Sequence, residues 1–374
     1  MEDKVLKKIR TATITFHKAI NYGAILQTYA LQQSILNLGI DNDVINYDCK
    51  SISNEYKLIK TKSIKSFIKS LMALKKCYYK KNKFKLFIKK YIILTNPVTK
   101  DILKSEDFNN KYDFFITGSD QVWNYEITNL NDVYFLNFVK DEKKIKSYAA
   151  SFGVNSIPKE LRPIYIKYLK RFSNLLVREK TGKNIIHGLM DRKVNTVLDP
   201  VLLLNKNEWD KILFKTKFDD IKDKYILVYM RTPYIKLFAE NLSIKYKIPI
   251  FNIEDLILKN KNRVGKTESE LGLEEFISAI KNAKFVITGS FHAVVFSIIY
   301  NKEFFINNID KTKENRSSRQ KDLLDLLEIE DREIFNHNDD TDFAPIDWNN
   351  VNKNLEIERN KSLNELKKML GVND

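Results

Sequence analysis

Phe285-Val286-Ile287-Thr288-Gly289-Ser290-Phe291-His292-Ala293-Val294-Val295-Phe296-Ser297-Ile298-Ile299-Tyr300 is the stretch whose reading decides the fold. Phe285 to Ile287 reads as a short buried strand, Thr288 to Phe291 as a turn and His292 to Tyr300 as a helix. Phe304 to Ile306 then reads as another strand. Strand, glycine-containing turn, helix and strand in that order make a βαβ unit, and such units build parallel sheets covered by helices. The helix before this set, Leu273 to Ala283, extends the same alternation.

The N-terminal part repeats the grammar. Ile9 to Phe16 is rich in Thr and Ile and ends at His17. Asn21 can then cap a helix whose apolar positions Ala24, Leu31, Ile35 and Leu38 share one face, and Gly39 supplies its stop before Val44, Ile45 and Tyr47. Four further runs lead into polar loops. Phe114 to Ile116 delivers Gly118-Ser119-Asp120-Gln121-Val122-Trp123-Asn124, and Lys146 to Ala150 delivers Ser151-Phe152-Gly153. Leu175 to Val177 ends in Arg178 and Glu179, and Thr196 to Leu198 ends in Asp199-Pro200. In open α/β sheets the carboxyl ends of the strands are where ligands bind, so these loops are expected to face a site.

A chain of 374 residues exceeds what one core usually organises. The expected class is α/β, with two Rossmann-like domains facing a cleft: residues 1–215, then 216–350, with a connecting helix around Trp209 and a new strand from Tyr225 to Met230 at the junction. A last helix within 351–374, apolar at Leu355, Leu363, Leu366 and Leu370, has the spacing to cross back onto the first domain.

With 43% hydrophobic and 30% charged residues, the composition is that of a folded chain. The formal charge is +16, but Lys supplies nearly all of it and the lysines are spread along the chain, so a solvated lysine surface accounts for it and no nucleic acid is expected as a partner. Ser63 to Tyr91 is the exception: a helical, basic stretch with Phe67, Ile68, Leu71, Leu74, Phe84, Phe87 and Ile88 among the lysines. It can cover the sheet with its lysines in water, or lie on the anionic inner surface of a membrane. Cys49 and Cys77 lack metal or redox spacing, so a reducing cytoplasm fits. Met1 to Arg10 is too polar for a signal peptide, and the longest apolar stretch, Ala293 to Tyr300, is far short of the roughly 20 residues a span needs.

The strongest local constellation is Gly289-Ser290-Phe291-His292 at a helix N-terminus, where backbone N–H groups and the helix dipole favour an anion. Gly289 permits close approach, Ser290 can donate a hydrogen bond, and His292 can serve as a cation or a proton donor, or simply cap the helix. Arg178 can fork onto a phosphate or carboxylate, or bridge to an acidic neighbour. Asp120 and Asn124 flank Trp123 and can reach sugar hydroxyls across an indole platform, or form a tight turn around a buried Trp. His17 and Asn21 are candidates for ligand contact, although capping already explains Asn21. No Gly-x-Gly-x-x-Gly follows the first strand, and Walker, nucleophile-elbow and metal-ligand spacings are absent, so neither metal nor cofactor is expected.

Taken in order, Thr15-Phe16-His17 with Asn21-Tyr22-Gly23-Ala24, Gly118 to Asn124, Ser147 to Gly153, Val177-Arg178-Glu179-Lys180 with Gly182, Asp199-Pro200 and Ser290-Phe291-His292 resemble the polysaccharide pyruvyl transferase family from about residue 10 to 330. The resemblance implies a fold similar to GT-B glycosyltransferases and transfer of a pyruvyl group from phosphoenolpyruvate to two hydroxyls of a saccharide, free or lipid-linked, in cell-surface polysaccharide biosynthesis. It implies that Arg178 binds phosphoenolpyruvate and that His292 binds its phosphate or acts as the general acid. Members often carry an Arg two positions before the motif His; here Ser290 stands there, leaving Arg231, Arg316 or Arg319 to replace it, and Ala293 stands where Gly is common. A nucleotide-sugar glycosyltransferase and a non-catalytic saccharide-binding protein are the alternatives.

Overall fold

The computed structural model describes residues 8–49, 64–229, 233–253, 266–306, 318–334 and 343–372. The chain divides into two compact units, one made of Met1–Tyr56, Ile88–Leu203 and Glu358–Asp374, the other of Lys57–Phe87 and Leu204–Ile357.

The first unit holds six strands: β1 (Arg10–Ile14), β2 (Asp41–Val44), β3 (Phe114–Asp120), β4 (Ile145–Ala150), β5 (Asn174–Val177) and β6 (Asn195–Thr196). They are ordered β2-β1-β3-β4-β5-β6 and every pair is parallel. Because β1 is followed by β2 on one side and β3 on the other, the chain reverses direction between β1 and β3, the point where a doubly wound sheet opens a crevice. Helix α1 (Tyr22–Asn37) is buried over most of its circumference, and Asn21 caps it by accepting from the Ala24 N–H at 3.2 Å. It packs close to β3 at Gly118, where a Cβ would stand 2.4 Å from Leu31 Cδ2.

The second unit holds β7 (Ile226–Tyr229), β8 (Ile250–Ile253), β9 (Lys266–Glu268), β10 (Phe285–Thr288) and β11 (Glu303–Ile306), ordered β11-β10-β7-β8-β9 and again wholly parallel. Its reversal lies between β7 and β10. Both sheets are therefore Rossmann-like. The central strand β7 reads as an unbroken and fully buried apolar run, as expected where helices cover both faces of a parallel sheet.

The observed elements refine several expectations. The connecting segment after Asn205 holds a short helix at Lys206–Asp210 and then turns, where one continuous helix was expected. Its Trp209 packs edge-on against Phe296, which assigns this segment to the second unit although the sequence boundary fell at 215. Helix α2 (Ile64–Tyr91) likewise contributes to that unit, where Lys83 Nζ lies 2.6 Å from Glu275 Oε2. The last helix, α3 (Trp348–Leu370), ends in the first unit: Leu366, Met369 and Leu370 share a cluster with Leu31, Ile116 and Tyr148, and Ser362 Oγ accepts from the Leu198 N–H. Leu366 is fully buried in that cluster. Leu366→Ala is expected to destabilise the protein by about 2–5 kcal/mol, the range for an unfilled core cavity, in a denaturant titration.

Candidate functional site

In the first unit, the carboxyl edge of the sheet is joined by one polar network. Arg178, immediately after β5, donates from Nη1 to Asp199 Oδ2 at 2.9 Å and from Nε to Glu179 Oε2 at 3.3 Å. Glu179 Oε1 accepts from Ser151 Oγ at 2.5 Å, at the end of β4. Asp199 Oδ2 also accepts from Ser119 Oγ at 3.2 Å in β3, and its Oδ1 accepts from the Val201 N–H. The ends of β3, β4, β5 and β6 are thus linked through a single guanidinium.

Burial alone would lower the Arg178 pKa, but Glu179, Asp199 and Asp120 outweigh it and push it above the ordinary arginine value, so the side chain stays charged. One positive charge meets two carboxylates in direct contact, with a third close enough to act on it. Of the two roles open to Arg178 in the sequence, the acidic bridge is the one formed here. An anionic ligand at this edge meets an excess of negative charge, whereas a neutral polyol meets acceptors for its hydroxyls.

Asp120 ends β3 with φ +73°, in the left-handed region that costs a non-glycine residue on the order of 1–2 kcal/mol. The turn is held by the Gln121 N–H donating to Asp120 Oδ1 and the Ser151 N–H donating to Asp120 O. Next to it, Gly153 has φ +62°, and a Cβ there would meet Gln121 Oε1 at 2.1 Å. Asp120 itself is half-buried, the most accessible acid of the group. Asn124 turns inward: its Oδ1 caps a short helix through the Glu126 N–H, and its Nδ2 donates to Gln121 Oε1. Trp123 is fully buried, stacked on Phe135 with its Nε1 donating to Tyr134 O, so the indole is a core wedge and not a sugar platform. Asn21 is occupied as the cap of α1.

His17 follows β1 and is buried, with Nδ1 3.3 Å from Thr15 O. Burial is the main cause that lowers its pKa to about 4, against the hydrogen bond to Thr15 that favours the charged form. The ring is therefore neutral at neutral pH.

The second unit offers a different edge. Gly289 sits at its sheet reversal, its N–H donating to Tyr229 O at the end of β7, and the Ser290 N–H donates to Thr288 Oγ1 at 2.9 Å. Helix α4 (Phe291–Ile299) starts there, with Ser290 as N-cap residue making no side-chain cap bond and with no acid in its first turn. His292 lies in that first turn and is 9% exposed. Gln320 Nε2 donates to Gly289 O at 3.1 Å, and the Arg319 guanidinium lies 5.8 Å from the Phe291 ring centre. Of the three arginines considered as replacements at position 290, Arg319 is thus located against the motif. Arg231 and Arg316 lie outside the described residues. Among the described residues no group of three His, Cys, Asp or Glu side chains is placed to hold a metal ion.

These loops fall at the carboxyl edges of the two sheets, in the order in which the motifs run along the chain. The family profile described as polysaccharide pyruvyl transferase matches residues 21–310. The chain belongs to the polysaccharide pyruvyl transferase family. Within this pyruvyl transferase family member, the match spans both units and all the loops described except Thr15-Phe16-His17. Among curated proteins no sequence match is found. Among solved structures, a glycosyltransferase from Rickettsia africae is similar in fold at 12% identity and TM-score 0.51, covering 97% of this chain and 99% of that one. UDP-GlcNAc 2-epimerase from Neisseria meningitidis, bound to UDP-GlcNAc, aligns at 11% identity and TM-score 0.49 over 98% of this chain and 100% of that one. The fold is thus of the GT-B type, as the motifs implied.

Glu179, Asp199, Ser119 and Ser151 are the site-edge residues that sequence reasoning did not single out. Each stands at or within three positions of a strand's carboxyl end inside a motif, and that placement was the available signal. Arg178→Ala is expected to cost about 3–5 kcal/mol in denaturant unfolding, because it leaves two buried carboxylates without their cation. For His17, the folded pKa lies below the unfolded value of 6.5, so the unfolded chain binds the extra proton between the two. Its contribution is complete above the unfolded pKa and is lost as pH falls towards the folded one. Wild type should therefore lose about 3 kcal/mol more than His17→Gln across that window in pH-stepped unfolding.

Proposed function

We propose that the protein transfers a pyruvyl group from phosphoenolpyruvate onto two hydroxyls of a saccharide, as a cytoplasmic step of cell-surface polysaccharide biosynthesis. The observation that carries the reading is the start of α4, where His292 stands in a first turn that has neither a capping side chain nor an acid, within the family's own motif. A helix N-terminus of that kind favours the doubly charged phosphate of the donor. The acid-rich edge of the first unit suits the other substrate, with Asp120 accepting from a saccharide hydroxyl.

The chemistry needs one proton delivered and one leaving group held. Protonation of the methylene carbon of phosphoenolpyruvate turns its C2 into an oxocarbenium-like centre, and a saccharide hydroxyl adds there, returning a proton to the enzyme. The C2–O bond to phosphate then breaks, a second hydroxyl adds to C2 to close the ketal, and its proton leaves with inorganic phosphate. His292 is assigned as the proton donor or the phosphate ligand. Gly289 and Ser290 offer backbone and hydroxyl donors to the same anion, with Arg319 as the nearby cation in place of the motif Arg. Arg178 acts on this reading by keeping Glu179 and Asp199 in place.

The test is phosphate release from phosphoenolpyruvate against lipid-linked and nucleotide-linked saccharides. Release is expected to require both an acceptor and His292, with His292→Ala slower by more than about a hundredfold. Phosphate release by His292→Ala at the wild-type rate removes that residue from the mechanism. Saccharide binding without release across the panel favours a non-catalytic saccharide-binding role, and turnover of a nucleotide sugar instead favours a glycosyltransferase.

A further inference from the structure

Helix α2 carries ten lysines and no acidic residue over Ile64–Tyr91, and the charge bias runs beyond it, with no Asp or Glu between Glu55 and Asp101. A helix that merely covers a core usually balances its solvent face with acids spaced to pair with its lysines. Here the described part of the helix, from Lys76 onward, shows what the two faces do.

At 100° per residue, Lys80, Phe84 and Phe87 fall on one side, and all three are buried. Lys83 is held by Glu275, which fixes that flank to the second unit. The opposite side is defined by the spacing 78, 82, 85 and 89. It presents Tyr78 at 59% exposure, with Tyr79 at 46% and Leu86 at 59% along its border. Lys85 and Lys89 are exposed between them. Tyr78 and Tyr79 stand edge to face with ring centres 6.1 Å apart. The outward face therefore combines apolar and amphipathic side chains with uncompensated positive charge.

We propose that this outward face of α2 docks the protein on an anionic lipid bilayer. Two features select that occupant. The charge is wholly of one sign and opposite to that of anionic headgroups. Tyr and Leu beside Lys is the composition of a helix lying in the headgroup boundary, with rings at the interface, the aliphatic side chain in the acyl region and ammonium groups among the phosphates. A nucleic acid is also anionic, but Leu86 gains nothing against it, and the described helix carries none of the Arg that forks onto phosphate. The proposal stands apart from the pyruvyl-transfer reading, since docking is measured without substrate.

The experiment is co-sedimentation of the full chain with phosphatidylcholine vesicles, with and without phosphatidylglycerol. Binding is expected on the anionic vesicles, to be absent on phosphatidylcholine alone, and to weaken at least about tenfold as salt rises from roughly 0.1 to 0.5 M. The triple variant Tyr78→Ser, Tyr79→Ser, Leu86→Ser and the charge variant Lys85→Glu, Lys89→Glu should each weaken it by about tenfold or more. All five side chains are exposed, so melting temperatures should match wild type, and a melt shifted in one variant leaves the other to decide. The proposal is overturned if wild type stays in the supernatant, if both variants bind anionic vesicles as well as wild type, or if the protein binds an oligonucleotide duplex while ignoring vesicles.

Discussion

Parallel pairing is the constraint from which the rest of this molecule follows. Every pairing within the two described sheets is parallel, so each strand must be followed by a crossover before the next can run the same way. All carboxyl ends in a sheet then collect on one edge, and whatever polar residues follow the strands are brought together regardless of their distance in sequence. Asp120, Ser151, Arg178 and Asp199 are spread over eighty residues, yet Ser119 and Arg178 reach the same oxygen of Asp199. The price of gathering them is desolvation, and the network offsets it by giving each carboxylate hydrogen-bond donors.

The two units use that shared constraint to opposite electrostatic ends. The edge of the first is organised around buried carboxylates with a cation between them. The edge of the second is organised around backbone donors and a helix start without acids. On the proposed reading, an anionic donor suits the second of these edges and a hydroxyl-bearing acceptor the first. A guanidinium that looks like an anion clamp when read along the chain becomes, once folded, the tie that keeps like charges together.

Much of this was legible before folding. The strand-loop-helix passages around His17, Gly118 to Asn124 and Gly289 to His292 fall where the alternation of apolar runs and turn residues put them, because buried parallel strands are short, continuous and apolar. The strands Ile250–Ile253 and Lys266–Glu268 and the helix Pro233–Tyr246 were not read from the sequence, because short apolar runs among lysines carry no clear period. The partners of Arg178 were not legible either, since nothing in sequence spacing says which of several nearby acids will be buried with it. Trp123 shows the converse: a loop motif with an aromatic resembles a binding platform until packing against Phe135 and Phe152 places it inside.

The C-terminal helix bears on how the chain reaches this state as it is made. Leu366, Met369 and Leu370 complete the cluster built on Leu31, Ile116, Tyr148 and Leu176, so the first unit lacks part of its core until the last helix has been synthesised. The second unit, whose sheet lies wholly within Ile226–Ile306, has all its strands much earlier. Vectorial synthesis therefore supplies every strand of the later-encoded sheet before Leu366 to Leu370 exist, and leaves an apolar gap in the earlier unit until they emerge. A chain interrupted before Leu366 would carry an earlier unit with exposed Leu and Ile, the kind of surface that chaperones hold and proteases clear.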